Sequence, residues 1–172
     1  MRKIAILVAA VLALGAFASQ ATAGNRGGGE KNIVEVLSGN DNYTTLVSLV
    51  VQAGLADELS GSTELTVFAP TNRAFERLAE RNPALFAAVL ASPSLLQSVL
   101  LYHVSAGETD SSEIVGLSSV PTLLGPNVAV SVKNGFVRLN AGAENAKVYR
   151  ADIQASNGIV HGITEVLIPP LS

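Results

Sequence analysis

The spacing of the apolar residues changes in the second half of the chain, and this change limits the folds that the sequence can adopt. In the first part, four apolar residues follow the i, i+3, i+4, i+7 spacing of an amphipathic helix: Leu46, Leu49, Val50 and Ala53. From Val128 onward, apolar and polar residues alternate as in a half-buried strand. Helices followed by antiparallel strands predict an α+β domain.

Capping residues mark the first helix and a later short one. Asp41 or Asn42 is expected to cap the first helix, and Gly54 stands where a left-handed residue would end it. Asp110, with Glu113 three residues later, predicts a short capped helix farther along.

Prolines mark two more helix starts. Asn82-Pro83 and Ser92-Pro93 each place a capping side chain before a first-turn proline. The same apolar stripe follows each proline, so the sequence predicts two consecutive helices.

A hairpin is predicted at Asn134-Gly135, a dipeptide that favours a two-residue turn between strands. A turn of this length makes Val132 face Val137 and Val130 face Leu139. All four of these side chains are expected to be buried on one face of the hairpin. Two more strands are predicted, over Ala146 to Ile153 and over Ile159 to Ile168. The second is apolar on both faces and is therefore expected to be central.

The chain begins with the pattern of an export signal. Arg2-Lys3, an apolar run and a small-residue cleavage site before Gly24 predict a signal peptide over residues 1–23. Such a compact, alanine-rich signal peptide is typical of a bacterial protein. Residues 24–31 are rich in glycine and predict a flexible tether. Residues 32–172 are then expected to form one domain, secreted or periplasmic, with no transmembrane segment once the signal is removed.

The composition argues against several kinds of site and partner. The chain has no cysteine, so it can hold neither a disulfide nor a thiolate metal site. Its net charge is −3 and no basic run is present, which argues against a nucleic-acid partner. With two histidines and no Gly-x-Ser-x-Gly elbow, the sequence predicts no enzyme, no metal site and no cofactor.

Three ordered segments resemble the signature elements of the fasciclin-like domain family. The first runs over residues 65–75, beginning Leu-Thr-Val-Phe-Ala-Pro-Thr-Asn, and the third is Asn-Gly-Ile-Val-His-Gly-Ile-Thr at the start of residues 157–170. Between them, the pair Tyr102-His103 lies in an apolar stretch over residues 100–104. The resemblance covers roughly residues 32 to 170.

The resemblance implies a fold and a class of function. It implies a wedge of mostly antiparallel strands packed with several short helices. It also implies a secreted, non-enzymatic binding or adhesion module whose partner is a protein, an extracellular matrix, a cell surface or a host. An alternative is a carrier of an apolar small molecule such as a carotenoid or lipid, since some algal members of the family bind carotenoids. The purified protein distinguishes these two functions, because colour or extractable lipid would favour the carrier.

The signature side chains have both structural and binding interpretations. Thr71 and Asn72 predict a strand-to-helix turn with its cap, and Asn157-Gly158 predicts a turn before the last strand. His161 shares a strand face with apolar residues and is expected to be buried and hydrogen-bonded, in a structural role.

For Tyr102 and His103 two interpretations stay open. In animal members of the family the matching pair is implicated in receptor binding, whereas the apolar flanks here favour packing. Many members carry an aspartate where this chain has Thr164, so an acidic, metal-bridged receptor contact is not expected at that point.

Overall fold

A computed structural model describes residues 31–141 and 144–170. Within these ranges, seven α-helices precede residue 120: α1 (Ile33–Ser38), α2 (Thr44–Gln52), α3 (Ala56–Ser60), α4 (Asn72–Arg81), α5 (Pro83–Ala91), α6 (Pro93–Leu101) and α7 (Ser111–Gly116). A 3₁₀ turn, Asp41–Tyr43, leads into α2.

One seven-stranded sheet runs through the molecule in the order β2-β1-β7-β6-β5-β4-β3. Its strands are β1 (Leu65–Pro70), β2 (Val104–Ala106), β3 (Ser119–Val120), β4 (Val128–Lys133), β5 (Phe136–Ala141), β6 (Glu144–Ala155) and β7 (Gly158–Ile163). Only β1 and β7 pair in parallel, and the other five pairings are antiparallel. The predicted α+β class with mostly antiparallel strands is confirmed.

Two apolar cores lie on opposite faces of this sheet. The first packs helices α1 to α6 against one face of β1 and β7, and includes Leu46, Val67 and Val160. The second packs α7 and the β4–β5 hairpin against the other face, and includes Phe68 and Leu139. β7 is buried along its whole length and contributes to both cores, as its apolar sequence predicts.

Several predicted helix boundaries are confirmed. Gly54 has φ +72° and ends α2, with the N–H of Leu55 donating to the carbonyl of Val50. Asn82 caps α5 through a bond from the N–H of Leu85, and Asp110 with Glu113 forms a full capping box at α7.

Two predicted caps are wrong. Neither Asp41 nor Asn42 caps α2, because the 3₁₀ turn before it contains both and is itself capped by Asn40. Ser92 precedes α6 as predicted, but its hydroxyl pairs with the Ser94 hydroxyl and makes no capping bond.

The hairpin register is confirmed, but the predicted burial of its face is only partly right. Asn134 and Gly135 both have positive φ, and Val132 pairs with Val137 as expected. Val137 and Leu139 are buried, whereas Val132 is 49% exposed. α7 packs against the base of the hairpin and β3 pairs with only two residues of β4, so no described element covers the tip of the hairpin.

The last two strands differ from the predicted ranges. β7 ends at Ile163 and not at Ile168, although Val166 and Leu167 are still buried in the segment that follows. β6 is longer than predicted and its pairing with β7 shifts register twice between Val148 and Ile153.

The signal peptide over residues 1–23 and the tether up to residue 30 lie outside the described residues. Within the described ranges, no single helix is long and apolar enough to span a membrane. α5 and α6 taken together have the length and apolar composition of a span, but the two helices are bent by 107° relative to each other.

Candidate functional site

Asn157 holds three chain segments together from a buried position. Its Oδ1 atom accepts from the N–H of Ile33 at 2.9 Å, and its Nδ2 atom donates to the carbonyls of Leu59 at 2.8 Å and Gly61 at 2.7 Å. These bonds join the start of α1 and the end of α3 to the turn before β7. The three bonds use one acceptor and two donors. A carboxamide supplies this combination, and no other side chain of the size of asparagine does.

Gly158 lies where the chain passes closest to β1. Its φ is +151°, and a Cβ atom built at this position would collide with the carbonyl oxygen of Leu65. The parallel pairing of β7 with β1 starts at this contact, Leu65 opposite Gly158. Glycine is therefore required both for the conformation and for the close approach.

His161 is fully buried in the second half of β7 and both ring nitrogens are hydrogen-bonded. Nε2 lies 2.8 Å from the carbonyl of Thr109, and Nδ1 accepts from the N–H of Asp152 at 3.2 Å. The ring also stacks on Phe68 at 5.6 Å between centroids. Because Nδ1 accepts and Nε2 faces a carbonyl, the imidazole is neutral with its proton on Nε2. Burial lowers the pKa of His161, which favours the same neutral form.

Asp152 links this histidine to α7. It is a non-glycine residue with φ +57°, in the part of β6 where the register shifts. One of its carboxylate oxygens accepts from the N–H of Ser111 at 2.8 Å, at the start of α7. The sequence pattern did not indicate this contact, since only the bulge turns the carboxylate toward the helix.

Thr71 and Asn72 form the turn between β1 and α4. The hydroxyl of Thr71 accepts from the N–H of Ala74 at 3.3 Å and so caps α4. The Asn72 side chain is hydrogen-bonded to the start of α2 and the 3₁₀ turn before it. It accepts from the N–H of Thr45 at 2.9 Å and donates to the carbonyl of Asp41 at 2.8 Å. The Asn72 side chain therefore positions α2 relative to α4.

Tyr102 and His103 are both only 2% exposed. Tyr102 packs in the second core, and burial raises its pKa. His103 Nδ1 donates to the carbonyl of Val99 at 2.7 Å, and its Nε2 accepts from the N–H of Leu167 at 2.9 Å. Burial lowers the pKa of His103 to about 4. A partner contact through this pair would need exposed side chains, and neither side chain reaches the surface.

A contact between two tyrosines, of which Tyr43 is buried and Tyr149 is 44% exposed, was not predicted from the sequence. The hydroxyls of Tyr43 and Tyr149 lie 2.9 Å apart, and a Cβ atom added at Gly162 would collide with the Tyr43 hydroxyl and the Tyr149 ring. A glycine inside the otherwise apolar β7 was the available signal, since such a position marks close approach of another group.

The cavities among the described residues are small or open. An apolar cavity of about 30 Å³ in the first core, lined by Leu46, Leu59 and Leu100 among others, has room for only one or two waters. An open cleft of about 300 Å³ lies between α7 and the hairpin tip, with Val137 and Val148 in its lining. No group of three or more residues suited to hold a metal ion occurs in the described part of the chain.

A second exposed surface lies on the side of the hairpin sheet that faces away from α7. We call it the outer face, and it comprises the outward side chains of β4, β5 and β6: Ser131, Lys133, Phe136, Arg138, Asn140, Asn145 and Lys147. Their mutual contacts show that they share one side, since the Lys147 ammonium lies 3.3 Å from the centre of the Phe136 ring and Asn140 donates to Ser131.

The comparisons with known proteins agree on one family. Residues 41–169 match the Fasciclin domain. The chain is 39% identical over 142 residues to protein sll1483 of Synechocystis sp., covering 81% of this chain and 74% of that protein. It is 38% identical over 140 residues to transforming growth factor-beta-induced protein ig-h3 of Sus scrofa, covering 80% of this chain and 19% of that protein.

A solved structure shows the same fold. The FAS1 domain pair from the insect cell adhesion molecule Fasciclin I superimposes with a TM-score of 0.70 at 19% identity. The match covers 84% of this chain and 52% of that chain. At this identity the likeness concerns the fold alone.

Proposed function

The chain belongs to the fasciclin domain family, and from this premise we infer that it is a non-enzymatic binding and adhesion module that acts outside the cytoplasm. Its partner is a protein, an extracellular matrix or a cell surface. A domain pair of the same fold occurs in an insect cell adhesion molecule.

The proposal rests on the hydrogen bonds that the polar side chains of the signature segments make inside the protein. The signature residues Asn72, Asn157 and His161, and His103 in the same way, are engaged with backbone groups of distant segments. A catalytic group needs a free polar atom facing a substrate, and these atoms face the protein interior. The signature thus serves the scaffold, and binding is left to the exposed surface.

The apolar carrier has less support. Pockets for ligands of drug size usually measure about 300–1,000 Å³ and enclose most of the ligand. The apolar cavity of the first core is about 30 Å³, and the cleft of about 300 Å³ is open to solvent. Neither offers a closed apolar site of that size, so we keep the binding module as the proposed function.

Attachment of the purified, labelled protein to cells and matrix of its native source tests the proposal. We expect saturable attachment that unlabelled protein competes away. An exported protein of similar charge but unrelated fold serves as the control. Attachment that does not saturate, or that equals the control, would contradict an adhesion role.

The same assay decides the role of Tyr102 and His103. We infer that they act in the core, so the double variant Tyr102→Phe with His103→Gln should lose about 1–3 kcal/mol of stability through broken buried hydrogen bonds. Attachment by the fraction that remains folded should be unchanged. Weaker attachment at unchanged stability would instead identify the pair as a partner contact.

A further inference from the structure

The outer face carries three cations in a chain that is acidic overall. Lys133, Arg138 and Lys147 project from it, while the net charge of the chain is −3. β4 and β5 contain no aspartate or glutamate. Positive charge is therefore concentrated on this face, where it attracts an anionic partner.

Within the described part of the chain, no ion pair involves these three cations. The ion pairs between described residues join Arg77 and Arg81 to Glu165, on another part of the surface. Arg138 donates to the carboxamide of Asn145 at 3.2 Å, and its Nε atom is buried without a hydrogen-bond partner. No ion pair between described residues involves this guanidinium, so its charge can pair with a carboxylate or sulfate.

Neutral polar groups and one aromatic ring lie between the cations. Asn140 and Ser131 are hydrogen-bonded at 2.9 Å, and Asn145 is exposed beside Arg138. Phe136 is 45% exposed and holds the Lys147 ammonium over one side of its ring. The outer face therefore offers cations, carboxamides, a hydroxyl and an aromatic edge on adjacent strands.

From this combination we propose that the outer face binds an acidic polysaccharide. The cations match carboxylate or sulfate groups, and the carboxamides and hydroxyl match the sugar hydroxyls that such a polymer carries on every unit. An acidic peptide would engage the cations but lacks the hydroxyl groups that a polysaccharide presents to the carboxamides on every unit. The inference rests on the proposed function, because it names the class of surface polymer to which the module attaches.

Retention on immobilised polygalacturonate tests the inference, with dextran as the neutral polymer and poly-glutamate as the acidic peptide. The protein should bind polygalacturonate, release it as salt is raised, and ignore dextran. The double variant Lys133→Gln with Lys147→Gln should bind about tenfold more weakly, as expected for losing two surface charge contacts. Thermal melts of both proteins check that the variant is folded.

A matched control separates the outer face from general charge attraction. Lys31→Gln with Arg73→Gln removes the same number of exposed charges elsewhere and should leave retention unchanged. An equal loss in both variants, equal or stronger binding to poly-glutamate, or no binding to polygalacturonate would each overturn the inference.

The polysaccharide test and the attachment test can fail independently of each other. If the protein attaches to native cells but soluble polygalacturonate neither binds nor competes, the adhesion role stands and the polysaccharide inference falls. If polygalacturonate binds through the outer face and native cells are not bound, the inference about the face holds and the adhesion role falls.

Discussion

At the residue scale, this fold depends on a few polar side chains that are buried far from their sequence neighbours. Asn157 joins segments that lie 96 to 124 positions away, and His103 joins the end of α6 to the segment after β7. A buried polar atom left without its partner costs about 1–3 kcal/mol. Replacing one of these groups is therefore expected to destabilise the domain in a specific place.

His161→Ala should lower the free energy of unfolding by about 1–3 kcal/mol, because it leaves the Thr109 carbonyl and the Asp152 N–H without partners. Urea denaturation of the variant measures the loss. Gln154→Ala, at an exposed position on β6, is the control and should change little. Unchanged stability of the His161 variant, with loss of partner attachment, would assign this histidine to binding.

Stability should fall as pH drops from about 6.5 toward about 4. The pKa of His103 is about 4 in the folded protein, below its ordinary value of 6.5. Between these values the unfolded chain binds a proton at this imidazole and the folded chain does not, which removes about 3 kcal/mol by pH 4. The pKa of His161 is lowered too and acts in the same direction.

Urea midpoints at several pH values test this dependence. His103→Gln removes one of the two titrating groups, so the slope between pH 6.5 and 4 should become shallower although the variant is less stable at pH 7. A slope identical to that of the unchanged protein would show that His103 does not control acid stability.

At the element scale, turns and caps could be read from local residues, whereas burial could not. Asn134-Gly135 determined the hairpin register, and Asp110 with Glu113 determined α7. The exposure of Val132 depends on whether another layer covers the hairpin tip, and no local pattern reports that. The site residues of the signature were identified by sequence, but their partners, such as Thr109 for His161, come from segments that only the folded topology brings together.

Two substitutions, one on β4 and one on β5, test how far burial differs between the tip and the base of the hairpin. Val132→Lys should change the free energy of unfolding by less than about 1 kcal/mol, because the side chain is 49% exposed and its ammonium can reach water. Leu139→Ala should cost about 2–5 kcal/mol, because Leu139 is fully buried in the second core. Similar denaturation midpoints for the two variants would contradict the arrangement of the hairpin over α7.

At the scale of the whole molecule, the two cores share one sheet, and β7 is the strand that connects them. It pairs with β1 on the helical side and with β6 on the hairpin side. Loss of either core is therefore expected to expose β7 and unfold the other, so the domain should unfold in a single transition.

Export is a further prediction at this scale. The charge, apolar run and Ala-x-Ala pattern of residues 1–23 predict cleavage between Ala23 and Gly24. N-terminal sequencing of protein recovered outside the cytoplasm should begin at Gly24. A product that begins at Met1 would show that this segment is not removed.

The position of β7 also determines when folding can finish. β7 emerges from the ribosome after every other strand of the sheet, yet it is the strand between β1 and β6. Until it emerges, α1 lacks the Asn157 anchor and β1 lacks its parallel partner. Contacts this distant in sequence form slowly. The nascent chain is therefore expected to stay incompletely folded until its last strand is made, which is compatible with the export that the pattern of residues 1–23 predicts.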